Sequence, residues 1–172
     1  MACYYRRKGF VVAAEDEATF GLIPILNRRW AKVGSRPVAN MNFKQKSVKV
    51  MGARSQQAFV FTFGKKSNKL RFVKFMNLLL RRWGKVLLFA DHATWHKGKE
   101  IEDFLRRHKK TFKLLYFPRR TPELNPVEQC WKPGRQVLSN RLLLTLSAAK
   151  YHLKKTFDNP SLLPKMFRFL SN

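Results

Sequence analysis

The sequence predicts an α/β fold with a mixed five-stranded sheet, an antiparallel meander followed by a β-α-β unit, with helices on its flanks. Two observations carry this prediction. Apolar runs of strand length, separated by Gly and Pro, fill the first third of the chain, whereas helix-like and strand-like segments alternate after it. The first pattern is typical of antiparallel strands, and the second of a right-handed parallel crossover. With 172 residues, 45% of them hydrophobic, the chain is long enough for one core.

The meander is predicted from three or four short strands. The first covers Gly9 to Ala14, because GFVVAA is apolar on both faces and too short for a helix, and it carries three acids at its carboxyl end. The further candidates are residues 29–32 (Arg29 to Lys32), 47–52 (Ser47 to Gly52) and 58–63 (Ala58 to Phe63), with Gly34, Pro37 and Gly64 as breaks.

The period then changes to that of a helix. Apolar residues recur at helical spacing from Phe72 to Trp83, and Gly84 ends the helix. The elements expected next are a strand over Val86 to Ala90, a helix from about Lys97 to Lys110, a strand over Phe112 to Phe117 and a helix from about Asn125. An amphipathic segment from Leu146 to Phe157 and an apolar one from Leu162 to Leu170 complete the chain. We therefore expect one domain over residues 1–140 and a helical extension of it over residues 141–172.

Charge is the strongest compositional signal. The chain has 36 Lys and Arg against 10 Asp and Glu, a net charge of +26 that is spread along the whole sequence. Such a surface needs a polyanionic partner, most commonly nucleic acid. Two cysteines give neither a disulfide framework nor a zinc motif, and the first apolar run is too short for a signal peptide or a membrane span. These features favour a soluble, cytoplasmic protein associated with the nucleoid.

Carboxylates are rare and lie at positions of interest. Glu15, Asp16 and Glu17 follow the first buried strand, and Asp91 follows the buried run VLLFA. If these strands are parallel neighbours, the acids meet at one sheet edge, where a hard divalent cation would offset their repulsion. A purely structural role for these acids remains the alternative.

Glu128 is the third candidate. Asn125 suits a helix N-cap and Pro126 the first helical position, so Glu128 either completes a capping box or is held over the sheet edge. The residues alone leave both readings open.

Three sequence blocks resemble the catalytic domain of DDE transposases of the mariner superfamily, in particular the bacterial and archaeal insertion-sequence branch. The first is EDEATF at 15–20, followed by RWA at 29–31 and Gly34. The second is FADHA at 89–93, followed by His96. The third is YFP at 116–118 with PELNPVEQ at 122–129 and Trp131. These blocks span residues 11 to about 131, and the third is the most specific.

The resemblance implies an RNase H-like fold in which Asp16, Asp91 and Glu128 bind two Mg²⁺ or Mn²⁺ ions. It implies hydrolysis of a phosphodiester at a transposon end and attack of the freed 3′-OH on target DNA. Double-stranded DNA is the expected substrate, and a homodimer on DNA the expected assembly. Candidate DNA contacts near the acids are Lys97, Lys99, Arg119, Arg120, Trp95 and His96.

Three departures from the family pattern qualify the resemblance. His92 stands where Asn is common, Pro133-Gly134 predicts that the helix carrying Glu128 is short or kinked, and no helix-turn-helix region precedes Met1. A separate polypeptide is expected to supply DNA reading, so the chain is a split-gene or frameshift product, or a truncated relic. An inactive basic DNA-binding remnant and another RNase H-like nuclease remain the alternatives.

Overall fold

Five strands form one mixed sheet in a computed structural model that describes residues 1–28, 30–38, 40 and 42–162. The strands are β1 (Val11–Gly21), β2 (Ser47–Ser55), β3 (Phe59–Gly64), β4 (Val86–Ala90) and β5 (Phe112–Tyr116). Their order in the sheet is β3-β2-β1-β4-β5. Strands β1 to β3 are antiparallel neighbours, whereas β4 and β5 run parallel to β1. The predicted fold class is confirmed.

Helices lie between and after the strands. They are α1 (Ala2–Arg7), α2 (Lys69–Trp83), α3 (Lys99–Arg107), α4 (Val127–Leu138) and α5 (Leu146–Phe157). Short 3₁₀ turns cover Thr94–His96, Pro122–Leu124 and Pro160–Leu162. Within the described ranges, none of the helices is long and apolar enough to cross a membrane.

The local signals at α2 explain why it was predicted closely. The Asn68 side chain accepts a hydrogen bond from the backbone N–H of Arg71 at the start of α2, and Gly84 ends it at a φ of 73°. Its apolar face, Phe72, Phe75, Met76 and Leu79, is buried.

Three predictions of local structure need correction. Residues 30–32 have no regular secondary structure, so a strand over Arg29 to Lys32 is wrong for the described part of that range, and Arg29 itself lies outside the described residues. Helix α1 was not foreseen. Helix α4 continues through Pro133 to Leu138 instead of ending there. The apolar segment from Leu162 to Leu170 lies outside the described residues from 163 onward.

The sheet separates two apolar cores. One contains Val12, Ala14 and Phe20 from β1 and packs beneath α4 and α5, with Trp131 fully buried at its centre. The other contains Ala13 and packs beneath α2 and α3. Because side chains alternate along a strand, the even-numbered positions of this stretch of β1 face α4 and the odd-numbered ones face α2. This alternation decides where the three consecutive acids point.

Candidate active site

The register of β1 and β4 brings two acids together. The strands pair in parallel from Val11 opposite Val86 to Ala14 opposite Phe89. Continued past the end of β4, the same register places Asp91 opposite Asp16. The sequence predicts that the three acids follow the first strand. They lie within β1 instead, because β1 continues to Gly21 against β2. The first acid, Glu15, comes directly after the last residue of β1 that pairs with β4.

Asn125 anchors the third acidic element to the sheet. Its side-chain amide donates a 3.0 Å hydrogen bond to the backbone carbonyl of Glu15, and its side-chain oxygen accepts one of 3.1 Å from the N–H of Val127. The start of α4 is thereby fixed against β1, one residue later than the sequence predicts, with Pro126 at the N-cap.

Glu128 does not cap its own helix. Its side chain is exposed, and among the described residues the side chain that accepts a hydrogen bond from the start of α4 is that of Asn125, not that of Glu128. The capping-box reading is therefore wrong for this structure. Glu128 instead lines a pocket of about 320 Å³ together with Asp16 and Asp91. Two arginines, Arg119 and Arg120, line the same pocket.

Asp16 is held by a tryptophan from α4. The Trp131 indole N–H donates a 2.7 Å hydrogen bond to Asp16 Oδ2. Burial raises the pKa of Asp16 from its ordinary 3.8 to about 7, the Trp131 bond opposes that rise, and the nearby charges of Glu128 and Asp91 add to it. The protein alone therefore disfavours the simultaneous ionisation of Asp16, Asp91 and Glu128.

Asp91 is held by His96. The His96 Nδ1 lies 2.9 Å from Asp91 Oδ1, and this contact, together with the N–H of Ala93 at 2.9 Å, holds the pKa of Asp91 below its usual range. The Asp91 side chain is 56% exposed, whereas that of His96 is 2% exposed. The Asp91 carboxylate is thus ionised and accessible, while the His96 ring that holds it is buried.

His92 ties the ends of two strands together. Its Nε2 lies 2.9 Å from the carbonyl of Phe117, its Nδ1 lies 3.2 Å from Lys97 Nζ, and its ring stacks on Tyr116. A carbonyl only accepts and an ammonium only donates, so Nε2 carries the proton and the Nδ1 lone pair is used by Lys97. His92 lines the pocket but has no ring nitrogen left over for a metal ion.

The six candidate DNA contacts lie in different places. Arg119 and Arg120 are exposed on the pocket, and Lys99 is exposed at the start of α3. Lys97 is exposed and contacts His92. Trp95 is partly buried. His96 is buried beneath Asp91, so its assignment as a DNA contact does not agree with this structure.

Two residues that support the acids were not expected to contact them: Trp131 appears in the sequence analysis only as part of the third block, and Asn125 only as an N-cap. Trp131 contacts Asp16 across 115 positions of sequence, and Asn125 reaches the backbone of β1. One signal pointed to the tryptophan: Trp131 follows Glu128 by three residues and so shares its helix face.

Comparisons with known proteins support the fold. The structure is similar to "Mos1 transposase paired-end complex with left transposon end" (TM-score 0.67, 19% identity) and to "Crystal structure of the mariner Mos1 paired end complex with Mg" (0.70, 18%). These matches cover 91% and 94% of this chain, which spans about half the length of the Mos1 chains, 51% and 53%. The isolated "catalytic domain of Mos1 mariner transposase" matches at a TM-score of 0.65 and 15% identity, over 94% of this chain and 78% of that one. At such identities the likeness shows the fold.

The family is established by the sequence itself. No curated protein matches the chain significantly. Residues 11–156, most of the chain, match the family described as "DDE superfamily endonuclease", and this range contains all three carboxylates that line the pocket. The chain therefore belongs to the DDE superfamily of endonucleases.

Proposed function

We propose that this chain is the catalytic core of a DNA transposase that cleaves phosphodiester bonds and transfers DNA strands with the help of divalent cations. One observation carries the proposal: Asp16, Asp91 and Glu128 come from three separate elements and line a single pocket in a member of this endonuclease family. Structures of Mos1 with similar folds are described with Mg and with Mn, and in a strand transfer complex.

The three carboxylates fit two Mg²⁺ or Mn²⁺ ions. They offer only oxygen donors, which hard divalent ions prefer. Burial, and after it the charges of Glu128 and Asp91, raise the pKa of Asp16, and a bound cation would favour its ionised form. Two such ions would activate a water and stabilise the departing 3′ oxygen. No Ser or Tyr nucleophile is needed for this chemistry.

The surrounding residues keep the carboxylates in place. Trp131 holds Asp16 from one side of the sheet and His96 holds Asp91 from the other. Arg119 and Arg120 border the same pocket, where their guanidinium groups suit the phosphates of a bound DNA backbone. The net charge of +26 supplies long-range attraction to double-stranded DNA.

The proposal includes an assembly. We infer that the chain works as a homodimer on DNA, because the described part of the segment between β1 and β2 exposes large apolar side chains, among them Trp30, Val33 and Val38. A separate helix-turn-helix polypeptide would read the transposon ends. The sequence blocks that carry the resemblance favour the bacterial and archaeal insertion-sequence branch, and with it a nucleoid location.

The proposal also divides the chain into a catalytic domain, residues 1–140, and a helical extension, residues 141–172. Helix α5 of this extension packs its Ala149, Leu153 and Phe157 into the core beneath α4. The extension would therefore belong to the same folding unit.

The first test measures Mn²⁺ binding by calorimetry in the presence of a short DNA duplex. Wild-type protein is compared with Asp91→Asn and with Glu123→Gln. The second variant is a control, because Glu123 lies in the 3₁₀ turn before α4 but does not line the pocket. We expect binding to disappear in Asp91→Asn and to persist in the control. Cleavage of a duplex with Mn²⁺ should follow the same pattern.

Three results would contradict the proposal. Cleavage retained by Asp91→Asn would remove Asp91 from the catalytic set. Salt-sensitive DNA binding by wild-type protein without any Mn²⁺ binding would favour an inactive DNA-binding remnant. A preference for branched DNA over duplex ends would indicate another kind of RNase H-like nuclease.

A further inference from the structure

A second group of potential ligands lies on the opposite face of β1 from Asp16. Glu15 and Glu17 point towards α2, where His96 from the 3₁₀ turn packs against Phe72. One ligand atom from each of Glu15, Glu17 and His96 lies within 4.8 Å of the other two. This cluster is distinct from the pocket carboxylates, although His96 also contacts Asp91.

The tautomer of His96 leaves a lone pair facing a carboxylate. Its Nδ1 has only acceptors nearby, Asp91 Oδ1 at 2.9 Å and the Asp91 carbonyl at 3.2 Å, so Nδ1 carries a proton. In the neutral ring, Nε2 is then an acceptor, and it faces Glu15 Oε2 at 3.3 Å. Two acceptors in contact need a proton or a cation between them.

Several buried atoms of the cluster have no hydrogen-bond partner. These are both carboxylate oxygens of Glu15, Oε1 of Glu17 and Nε2 of His96. Glu15 is completely buried and His96 is 1% exposed. An unpartnered buried polar group costs about 1–3 kcal/mol, and more when it is charged, so this arrangement calls for a ligand.

The nearest positive side chain does not fill that role. Burial raises the pKa values of Glu15 and Glu17, and Arg71 is close enough to oppose part of that rise. Its hydrogen bonds nevertheless go to the backbone carbonyls of Lys49, Thr62 and Lys66. The guanidinium therefore offsets part of the charge without satisfying the carboxylate oxygens.

We infer that Glu15, Glu17 and His96 bind a divalent transition-metal ion such as Zn²⁺, in a site separate from that of Asp16, Asp91 and Glu128. In tetrahedral geometry, Zn²⁺ bonds of about 2.0–2.2 Å place neighbouring ligand atoms roughly 3.3–3.6 Å apart. The His96–Glu15 distance of 3.3 Å fits such an edge, and closing the 4.8 Å spread needs only a small side-chain movement.

The donor set selects the class of ion. An imidazole nitrogen with two carboxylates suits Zn²⁺ and its neighbours in the transition series, whereas Mg²⁺ prefers oxygen donors in octahedral geometry. A histidine that binds a metal commonly donates its other N–H to a carboxylate, as His96 does to Asp91. A pocket of about 180 Å³, lined by Glu17 and His96 and bordered by Asp16 and Asp91, gives an ion access to the cluster and leaves room for a water as fourth ligand.

The site would support catalysis indirectly. An ion on Nε2 fixes the His96 ring, and the Nδ1–H bond then fixes the Asp91 carboxylate. The Zn²⁺ would thus act as a structural ion that positions one member of the catalytic set without touching DNA.

The test uses a silenced background, defined as the double variant Asp16→Asn with Glu128→Gln. Two of the three pocket carboxylates are neutral in this background, and Asp91 is kept. Zn²⁺ bound at equilibrium is measured by dialysis and elemental analysis, first in this background and then with Glu17→Gln or, as the matched control, Glu123→Gln added. Glu17 is chosen because it is only half-buried and Gln keeps its shape. Circular dichroism confirms that each variant folds.

We expect one equivalent of Zn²⁺ in the silenced background and in the control, and its loss in Glu17→Gln. Co²⁺ in place of Zn²⁺ should show the visible absorption of a four-coordinate ion, again lost with Glu17→Gln. Equal Zn²⁺ in Glu17→Gln, or none in the silenced background, would overturn the inference. In the second case, nitrogen NMR showing both His96 ring nitrogens protonated would identify a bridging proton instead.

This result is independent of the proposed transposase activity. Zn²⁺ binding is measured in a background that cannot cleave DNA, whereas cleavage is tested in wild-type protein with Mn²⁺. Either conclusion can therefore fail without the other.

Discussion

Replacing Asp16 by Asn should stabilise the metal-free protein at neutral and alkaline pH. Burial raises the pKa of Asp16 to about 7, from an ordinary value of 3.8. A carboxyl with a higher pKa in the folded chain binds its proton more tightly there. Its contribution to stability is therefore complete below about pH 3.8 and is lost as the pH rises through about 7.

The size of the effect follows from that difference. A rise from 3.8 to about 7 corresponds to about 4 kcal/mol of destabilisation once the group is ionised. The value of about 7 already includes the Trp131 bond, which favours the charged form, and Asn keeps an oxygen that accepts from Trp131. We expect Asp16→Asn to be more stable by about 4 kcal/mol at pH 8, which is about 10 °C in Tm for a chain of this size.

Thermal unfolding in chelator between pH 4 and pH 8 measures this prediction. The advantage of Asp16→Asn should fall below about 1 kcal/mol at pH 4, where wild-type Asp16 is protonated. Added Mn²⁺ should narrow the gap at pH 8 because only the wild type gains from binding it. An advantage that does not change with pH, or a variant that is less stable at pH 8, would refute the argument.

Three further substitutions probe the supports of the site. Trp131→Phe removes the 2.7 Å bond to Asp16, so the pKa of Asp16 should rise further and calorimetry should show weaker Mn²⁺ binding than in wild type. Gly134→Ala places a Cβ within 2.7 Å of an α5 ring, and urea unfolding should show a net loss of about 1–2 kcal/mol after the gain in helix propensity. Arg119→Ala should weaken DNA binding of any sequence and lower the slope of log affinity against log salt by about 1; an unchanged slope would remove Arg119 from the DNA interface.

Local signals fixed most of the secondary structure. The strand over Val86 to Ala90 was predicted at its observed bounds, and α2 nearly so, because their apolar periods and their ends are determined by neighbouring residues. The strand expected over Arg29 to Lys32 is absent at the described residues 30–32, because two apolar residues beside basic ones form a strand only where a partner strand is available. The length of β1 was underestimated for the converse reason: β2 pairs with it as far as Gly21, which no local pattern reveals.

The site was predictable as a set of elements but not as a set of contacts. The resemblance picked out Asp16, Asp91 and Glu128, and the structure brings all three to one pocket. Their supports depend on tertiary packing. His96 is buried beneath Asp91, whereas the sequence predicts an exposed loop residue there. The 3₁₀ turn that carries it is too short to show an apolar period.

The alternation of β1 explains how three adjacent acids can serve two different purposes. Asp16 points to the α4 side, where Trp131 and Glu128 surround it, while Glu15 and Glu17 point to the α2 side, where His96 lies. Asp91 sits just beyond the end of β4, so it reaches both faces: its carboxylate lines the pocket and also accepts from His96. A change on the α2 face should therefore be felt in the pocket through Asp91 and through Asp16, which also lines the smaller cavity beside Glu17 and His96. It follows that Glu17→Gln should alter cleavage only as far as it shifts these two acids, whereas Asp16→Asn should abolish cleavage directly.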